Sequence, residues 1–127
     1  LPICYSRRVP LRTRLLIAAA EHGDRTALSD DRTRRGFAAL DTDADRIAAG
    51  LLALGVGPGD RVVVHLPNTV EFAALCFALF RVGALPVLAL PGHRRTEIRH
   101  LCDLAQAVVY VGPGRTSDGP DEPPVTP

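Results

Sequence analysis

The stretch from residue 61 to 91 constrains this chain most, because strand, helix and strand signals follow one another and the helix between them has no polar face. Val62, Val63 and Val64 form a β-branched run closed by Leu66. Such a run suits a strand buried on both faces of a parallel sheet. Pro67 ends it, having no N–H for a ladder. Asn68 and Glu71 then stand three apart before an apolar run, the spacing of a capping box. The helix predicted over 71–82 carries Phe72, Leu75, Cys76 and Leu79 on one stripe and Phe77 and Phe80 on another, so it belongs inside a larger body. Gly83 suits its left-handed end, and residues 87–90 form the second strand. Two strands joined by a helix run parallel. A membrane span is excluded: Arg81, Gly83 and Pro86 interrupt the apolar stretch, and residues 72–80 are too few to cross a bilayer.

The rest of the chain completes that pattern. Residues 11–22 can be a helix with Leu11, Leu15, Ala18, Ala19 and His22 on one stripe, stopped by Gly23. Ala27 and Leu28 read as a short strand before a polar turn at 29–32. Residues 37–54 form an amphipathic helix whose apolar face is Leu40, Ala44, Ile47, Leu51 and Leu54. Its start is poor, with Gly36 at the cap and Ala39 where a reciprocal Glu would stand. Thr96 can cap a further helix, with Glu97 in its first turn and Ile98, Leu101, Cys102 and Ala105 facing inward. Residues 108–111 make a third core strand. The fold class is therefore α/β, a parallel β-α-β-α-β half of a doubly wound sheet over 61–111. Residues 112–127, rich in Pro and Gly, read as a disordered tail.

Composition removes several functions. The formal net charge is +1, which gives no bulk attraction for nucleic acid, and aromatics at 5% offer no base-stacking surface. Cys4, Cys76 and Cys102 lack metal or redox spacing, and unpaired thiols suit a cytoplasmic setting. The apolar run 15–20 is too short for an export signal. All 15 basic residues are arginine, so chemistry that needs a lysine ammonium is closed to these residues alone.

Three motifs invite a site. The glycines at 55, 57 and 59 follow a helix and precede a strand, the reverse of a dinucleotide-binding loop, and read as a turn. Residues 66–69 join a strand to a helix start and could receive an anion, but a self-capped start accounts for them. His93, Arg94 and Arg95 lie past the end of a parallel strand, the edge where open α/β sheets bind ligands, and arginine suits carboxylates and phosphates. His65, inside a strand, and His22, on a helix face, read as packing or surface residues. No residue is assigned a catalytic, cofactor-binding or metal-binding role.

Ordered motifs between residues 34 and 111 add a resemblance. Phe-Ala-Ala-Leu-Asp (37–41), Gly-Val-Gly-Pro-Gly-Asp-Arg-Val (55–62), Leu-Pro-Asn-Thr-Val-Glu-Phe (66–72) and Phe-Ala-Leu-Phe-Arg-Val-Gly-Ala-Leu-Pro-Val-Leu-Ala-Leu-Pro (77–91) follow in the order of the acyl-adenylate-forming ligases. The continuation Gly-His-Arg-Arg-Thr-Glu-Ile (92–98) is similar to the aryl-acid branch, the 2,3-dihydroxybenzoate or salicylate AMP ligases of siderophore synthesis. Gly36, Phe37 and Ala39 depart from the first motif's Thr, Tyr and Glu.

The resemblance implies that residues 1–111 are part of the N-terminal subdomain of such a ligase. The parent reaction joins an aryl acid to ATP with Mg²⁺, giving aryl-AMP and pyrophosphate, and transfers the acyl group to a carrier protein's phosphopantetheine thiol. The phosphate loop, the aryl pocket, the ribose-binding motif and the lid lysine find no counterpart here. The expectation is a truncated ligase, inactive alone and without a cofactor of its own, and free to associate through an exposed sheet. The alternatives are a non-catalytic α/β interaction module and a small-molecule binder using the loop at His93, Arg94 and Arg95.

Overall fold

Strand β3 (Arg61–Val64) is the centre of the molecule, and Val62, Val63 and Val64 are fully buried. The computed structural model describes residues 10–113. Before β3 come α1 (Leu11–His22), β1 (Thr26–Ser29), β2 (Arg34–Gly36) and α2 (Phe37–Ala53). After it come α3 (Val70–Val82), β4 (Leu85–Leu88), α4 (Arg95–Ala105) and β5 (Val109–Val111). β3 pairs in parallel with both β4 and β5, so the sheet order is β4-β3-β5. β1 and β2 form a separate antiparallel hairpin.

Alternation along β3 sends its side chains to two cores. Val62 and Val64 meet Leu75, Ala78, Leu79 and Val82 of α3, with Ala48 and Leu51 of α2 behind them. Val63 faces the other way, against Ile98 of α4 and Ala89. The sheet is thus covered on both faces, as the parallel β-α-β-α-β reading requires. α1 packs beside α2 and α3 through Leu15, Leu40, Ala44 and Ala74. Of the stripe expected on α1, only Leu15 is buried, while Leu11 and His22 are exposed.

Several boundaries differ from expectation, each for a local reason. Leu54 does not join the apolar face of α2; it ends the helix and is 69% exposed. Gly55 turns left-handed at φ 85°, and the Val56 N–H then reaches back to the Leu51 carbonyl, burying Val56 in that place. α3 ends the same way: Gly83 sits at φ 78° and the Ala84 N–H donates to the Leu79 carbonyl. That early reversal starts β4 at Leu85 rather than Val87, with the Leu85 N–H donating to the Asp60 carbonyl at 2.7 Å. β3 stops at Val64, which leaves His65 and Leu66 beyond it. α4 is capped at Arg94 rather than Thr96, because the Glu97 carboxylate accepts the Arg94 N–H at 3.0 Å. β5 begins at Val109, one residue late. The expected tail falls, from residue 114 onward, outside the described residues.

Two arginines hold these layers together. Arg61 donates from Nε to the Ala105 carbonyl at 2.8 Å, and from its other nitrogens to the carbonyls of Gly59 and Gln106. It thereby fills acceptors at the end of α4, where a cation also meets the helix dipole favourably. Arg81 of α3 reaches α2, donating to the Asp41 carbonyl at 2.9 Å and the Asp45 carboxylate at 2.8 Å and pairing with the Asp41 carboxylate. The start of α2 at Gly36 has no side-chain cap, as expected. A Cβ there would lie 3.0 Å from the Gly23 carbonyl oxygen and 3.2 Å from that of Arg25, so the close approach of main chain favours glycine.

Candidate functional site

The carboxyl ends of β3, β4 and β5 converge on the loop between β4 and α4. His93 is half-buried there, and its Nδ1 accepts the Leu90 N–H at 3.1 Å while its own N–H donates to the Leu90 carbonyl at 2.9 Å. Accepting at Nδ1 leaves the proton of the neutral ring on Nε2. Arg94 and Arg95 are exposed at the start of α4. Glu97 stands beside them. Hydrogen bonds from its own N–H and from Arg94's hold its carboxyl below the usual range, with His93 and Arg94 adding a smaller electrostatic pull.

His65 belongs to this edge rather than to the interior of a strand. Its Nδ1 lies 2.9 Å from the Tyr110 hydroxyl and its Nε2 lies 3.3 Å from the Pro91 carbonyl oxygen. A carbonyl only accepts, so Nε2 carries the proton and the tyrosine donates to Nδ1. One ring thus links β3, β5 and the loop that carries His93. The sequence signal was a polar residue placed directly at the end of the valine run. His22, by contrast, is exposed at the end of α1 beside Glu21.

The junction before α3 is capped by Thr69 and by Asp30 from an earlier turn, not by the expected box of Asn68 and Glu71. Thr69 Oγ1 accepts the Phe72 N–H at 3.3 Å, and the Asp30 carboxylate, from the turn between β1 and β2, accepts the Val70 N–H at 3.0 Å. The same carboxylate accepts the N–H groups of Arg32 and Thr33, each at 2.8 Å. A shallow cleft of about 300 Å³ lies here, lined by Leu28, Asp30, Thr69 and Phe72 among others. Two of its helix donors are already taken, and the Asp30 carboxylate that takes one of them repels an anion. The glycines at 55–59 form the expected turn, closed by the Asp60 carboxylate accepting the Gly57 N–H at 2.8 Å.

Asp30 gives a pH-dependent prediction. The hydrogen bonds from Val70, then Arg32 and Thr33, hold its carboxyl below the ordinary value. A carboxyl with a depressed folded value stabilises the fold above its unfolded value of about 3.9 and loses that contribution as pH falls through the lower folded value. Asp30→Ala therefore lowers the thermal midpoint at pH 7, and the gap from the parent chain narrows in strong acid. Calorimetry across pH 7 to 2 checks this; a gap that is constant or widens in acid contradicts it.

Among the described residues no three His, Cys, Asp or Glu side chains gather as metal ligands, and no helix is long and apolar enough to cross a membrane. Cys76 and Cys102 are half-buried free thiols, both pushed up by desolvation.

The sequence profile of the AMP-binding enzyme family matches residues 16–125, continuing past Val111 where the motif resemblance stopped. The chain is 53% identical over 95 residues to the 2,3-dihydroxybenzoate-AMP ligase of Bacillus subtilis, a match covering 75% of this chain and 18% of that protein. The apo structure of MbtA from Mycobacterium smegmatis superposes with a TM-score of 0.76 at 47% identity, covering 82% of this chain and 20% of that one. The N-terminal subdomain of NpsA from Klebsiella oxytoca shares the fold, with a TM-score of 0.77 at 21% identity over 85% of this chain and 28% of that one. The chain spans about a fifth of the length of the curated relatives it matches.

Proposed function

The chain belongs to the AMP-binding enzyme family, and we propose from this that it is part of an aryl-acid adenylating ligase. The reaction is aryl acid plus ATP to aryl-AMP and pyrophosphate, followed by transfer of the acyl group to the phosphopantetheine thiol of a carrier protein in the cytoplasm. The observation that carries this reading is the 53% identity to a 2,3-dihydroxybenzoate-AMP ligase across 95 collinear residues. Residues 10–113 supply the parallel sheet and the loop at its carboxyl edge. On that loop Arg94 and Arg95 are exposed cations suited to a carboxylate or phosphate, and His93 offers Nε2, its Nδ1 being bound to Leu90.

ATP and Mg²⁺ do not fit the described residues by themselves. The helix start that could meet a phosphate has two of its donors, the N–H groups of Val70 and Phe72, taken by Asp30 and Thr69, and the chain has no lysine. The adenylating step therefore lies with parts of the ligase outside these residues.

A chimera tests the assignment. Residues 16–111 replace their counterparts in the Bacillus subtilis relative, and ATP–pyrophosphate exchange is measured with 2,3-dihydroxybenzoate. The expected outcome is exchange that depends on the aryl acid. A folded chimera without exchange contradicts the assignment.

A further inference from the structure

Which main-chain groups of β4 face open solvent follows from its pairing. The Leu85 N–H donates to the Asp60 carbonyl at 2.7 Å and the Ala89 N–H to the Val64 carbonyl at 2.9 Å. Residues 85, 87 and 89 therefore direct their main-chain groups to β3, while Pro86, Leu88 and Leu90 direct theirs to the uncovered side. A bare edge of that length would offer three N–H donors. Pro86 has none. The Leu90 N–H is taken by His93 Nδ1 at 3.1 Å, and its carbonyl by the His93 N–H at 2.9 Å. Of these three positions only Leu88 keeps an outward N–H without a partner among the described residues.

An incoming strand, parallel or antiparallel, alternates donors and acceptors along an edge, and with one donor left beside the carbonyls of Pro86 and Leu88 the ladder it could form is short and weakened. The side chains make this restraint necessary. Leu85, Leu88 and Leu90 are 54%, 57% and 64% exposed, an apolar edge of the kind that recruits other chains when left open. Another copy of this chain, carrying the same apolar strand, is the first such recruit.

We propose that Pro86 and the His93 imidazole are edge guards that close β4 to strand addition by a second copy of this chain. Pro86 removes a donor through its covalent structure. His93 removes one by folding its ring back over the strand end, and so has a task in the sheet separate from any contact with substrate. The sheet is left to grow, if at all, from its β5 side. This assignment does not depend on the adenylation reading, because it uses only the chain's own hydrogen bonds.

Amide hydrogen exchange on the complete 127-residue chain at dilute and concentrated protein provides the test. The wild-type Leu88 amide is expected to exchange at one rate at both concentrations. Pro86→Val combined with His93→Ala restores three outward donors, and its residue 88 amide is expected to slow by about tenfold or more on concentration, with a rise in thioflavin T fluorescence. His93→Ala alone, which keeps Pro86, is expected to speed exchange of the Leu90 amide even in dilute solution. Three results each overturn the proposal: concentration-dependent protection of Leu88 in the wild type, a natively folded double variant as open as the wild type, or a Leu90 amide indifferent to His93→Ala.

Discussion

Leu79→Asp leaves the chain unfolded. Leu79 is fully buried on the face of α3 that meets Val62 and Val64, with Val56 and Leu51 in the same cluster. Every buried side chain among the described residues is apolar, so an introduced carboxylate there meets no buried partner. An unpaired buried charge costs on the order of 3–5 kcal/mol and losing the buried leucine adds about 2–5 more, together comparable to a total domain stability of about 5–15 kcal/mol. A carboxylate at Cys76 on the half-buried side of α3 serves as the comparison, since that side chain reaches solvent with a small shift and Cys76→Asp should retain helix. Circular dichroism and a urea melt on both variants decide the matter. A Leu79→Asp chain with unchanged spectrum and midpoint is incompatible with α3 as the centre of the core.

ATP–pyrophosphate exchange by the purified chain alone is at background with either 2,3-dihydroxybenzoate or salicylate. Adenylation brings a carboxylate to an α-phosphate, so the developing charge needs preorganised cations and the triphosphate needs a cradle of donors. The candidate cations, Arg94 and Arg95, sit exposed at the start of a helix whose first turn already holds Glu97. Among the described residues no covering element excludes water from them. Radiolabel exchange with ATP and Mg²⁺ measures this directly. Exchange that survives repurification and disappears in His93→Ala with Arg94→Ala would make the loop an active site in its own right and remove the need for the remainder of a ligase.

The sheet and its order of elements were readable because two strong signals coincide in residues 61–91. The valine run allows little but a buried strand, and a helix with six large apolar residues allows little but a core. β2 was missed because Arg34, Arg35 and Gly36 carry no strand pattern; the pairing with β1 is made by main-chain bonds and by the Asp30 turn. Asn68 and Thr69 are both able to cap α3. The choice fell to Thr69 in a structure where Asp30, 40 residues earlier, takes the adjacent Val70 N–H, a contact no local window contains. His65 was misread for the same reason. Its partners Tyr110 and Pro91 are 45 and 26 residues away, and sequence places it only at the end of a valine run. The positions of His93, Arg94 and Arg95 at the sheet's carboxyl edge followed from strand order alone. That His93 spends one nitrogen on Leu90 did not, because a ring folding back three residues leaves no trace in composition.

The central place of β3 sets a timetable for synthesis. It leaves the ribosome before both of its neighbours, yet each of its hydrogen-bonding edges waits for a strand made later, β4 first and β5 last. Arg61 at its start waits almost as long, since two of its acceptors, the carbonyls of Ala105 and Gln106, come 44 and 45 residues afterwards. At about 5–20 residues per second, the valine run spends seconds without its second edge, the interval in which nascent chains are most exposed to chaperones and proteases. Stalled chains that end before β5 should accordingly be cut within β3 by a protease that spares chains carried past Val111. Equal resistance in the two would mean that β3 and β4 with α3 already form a stable unit without their third strand.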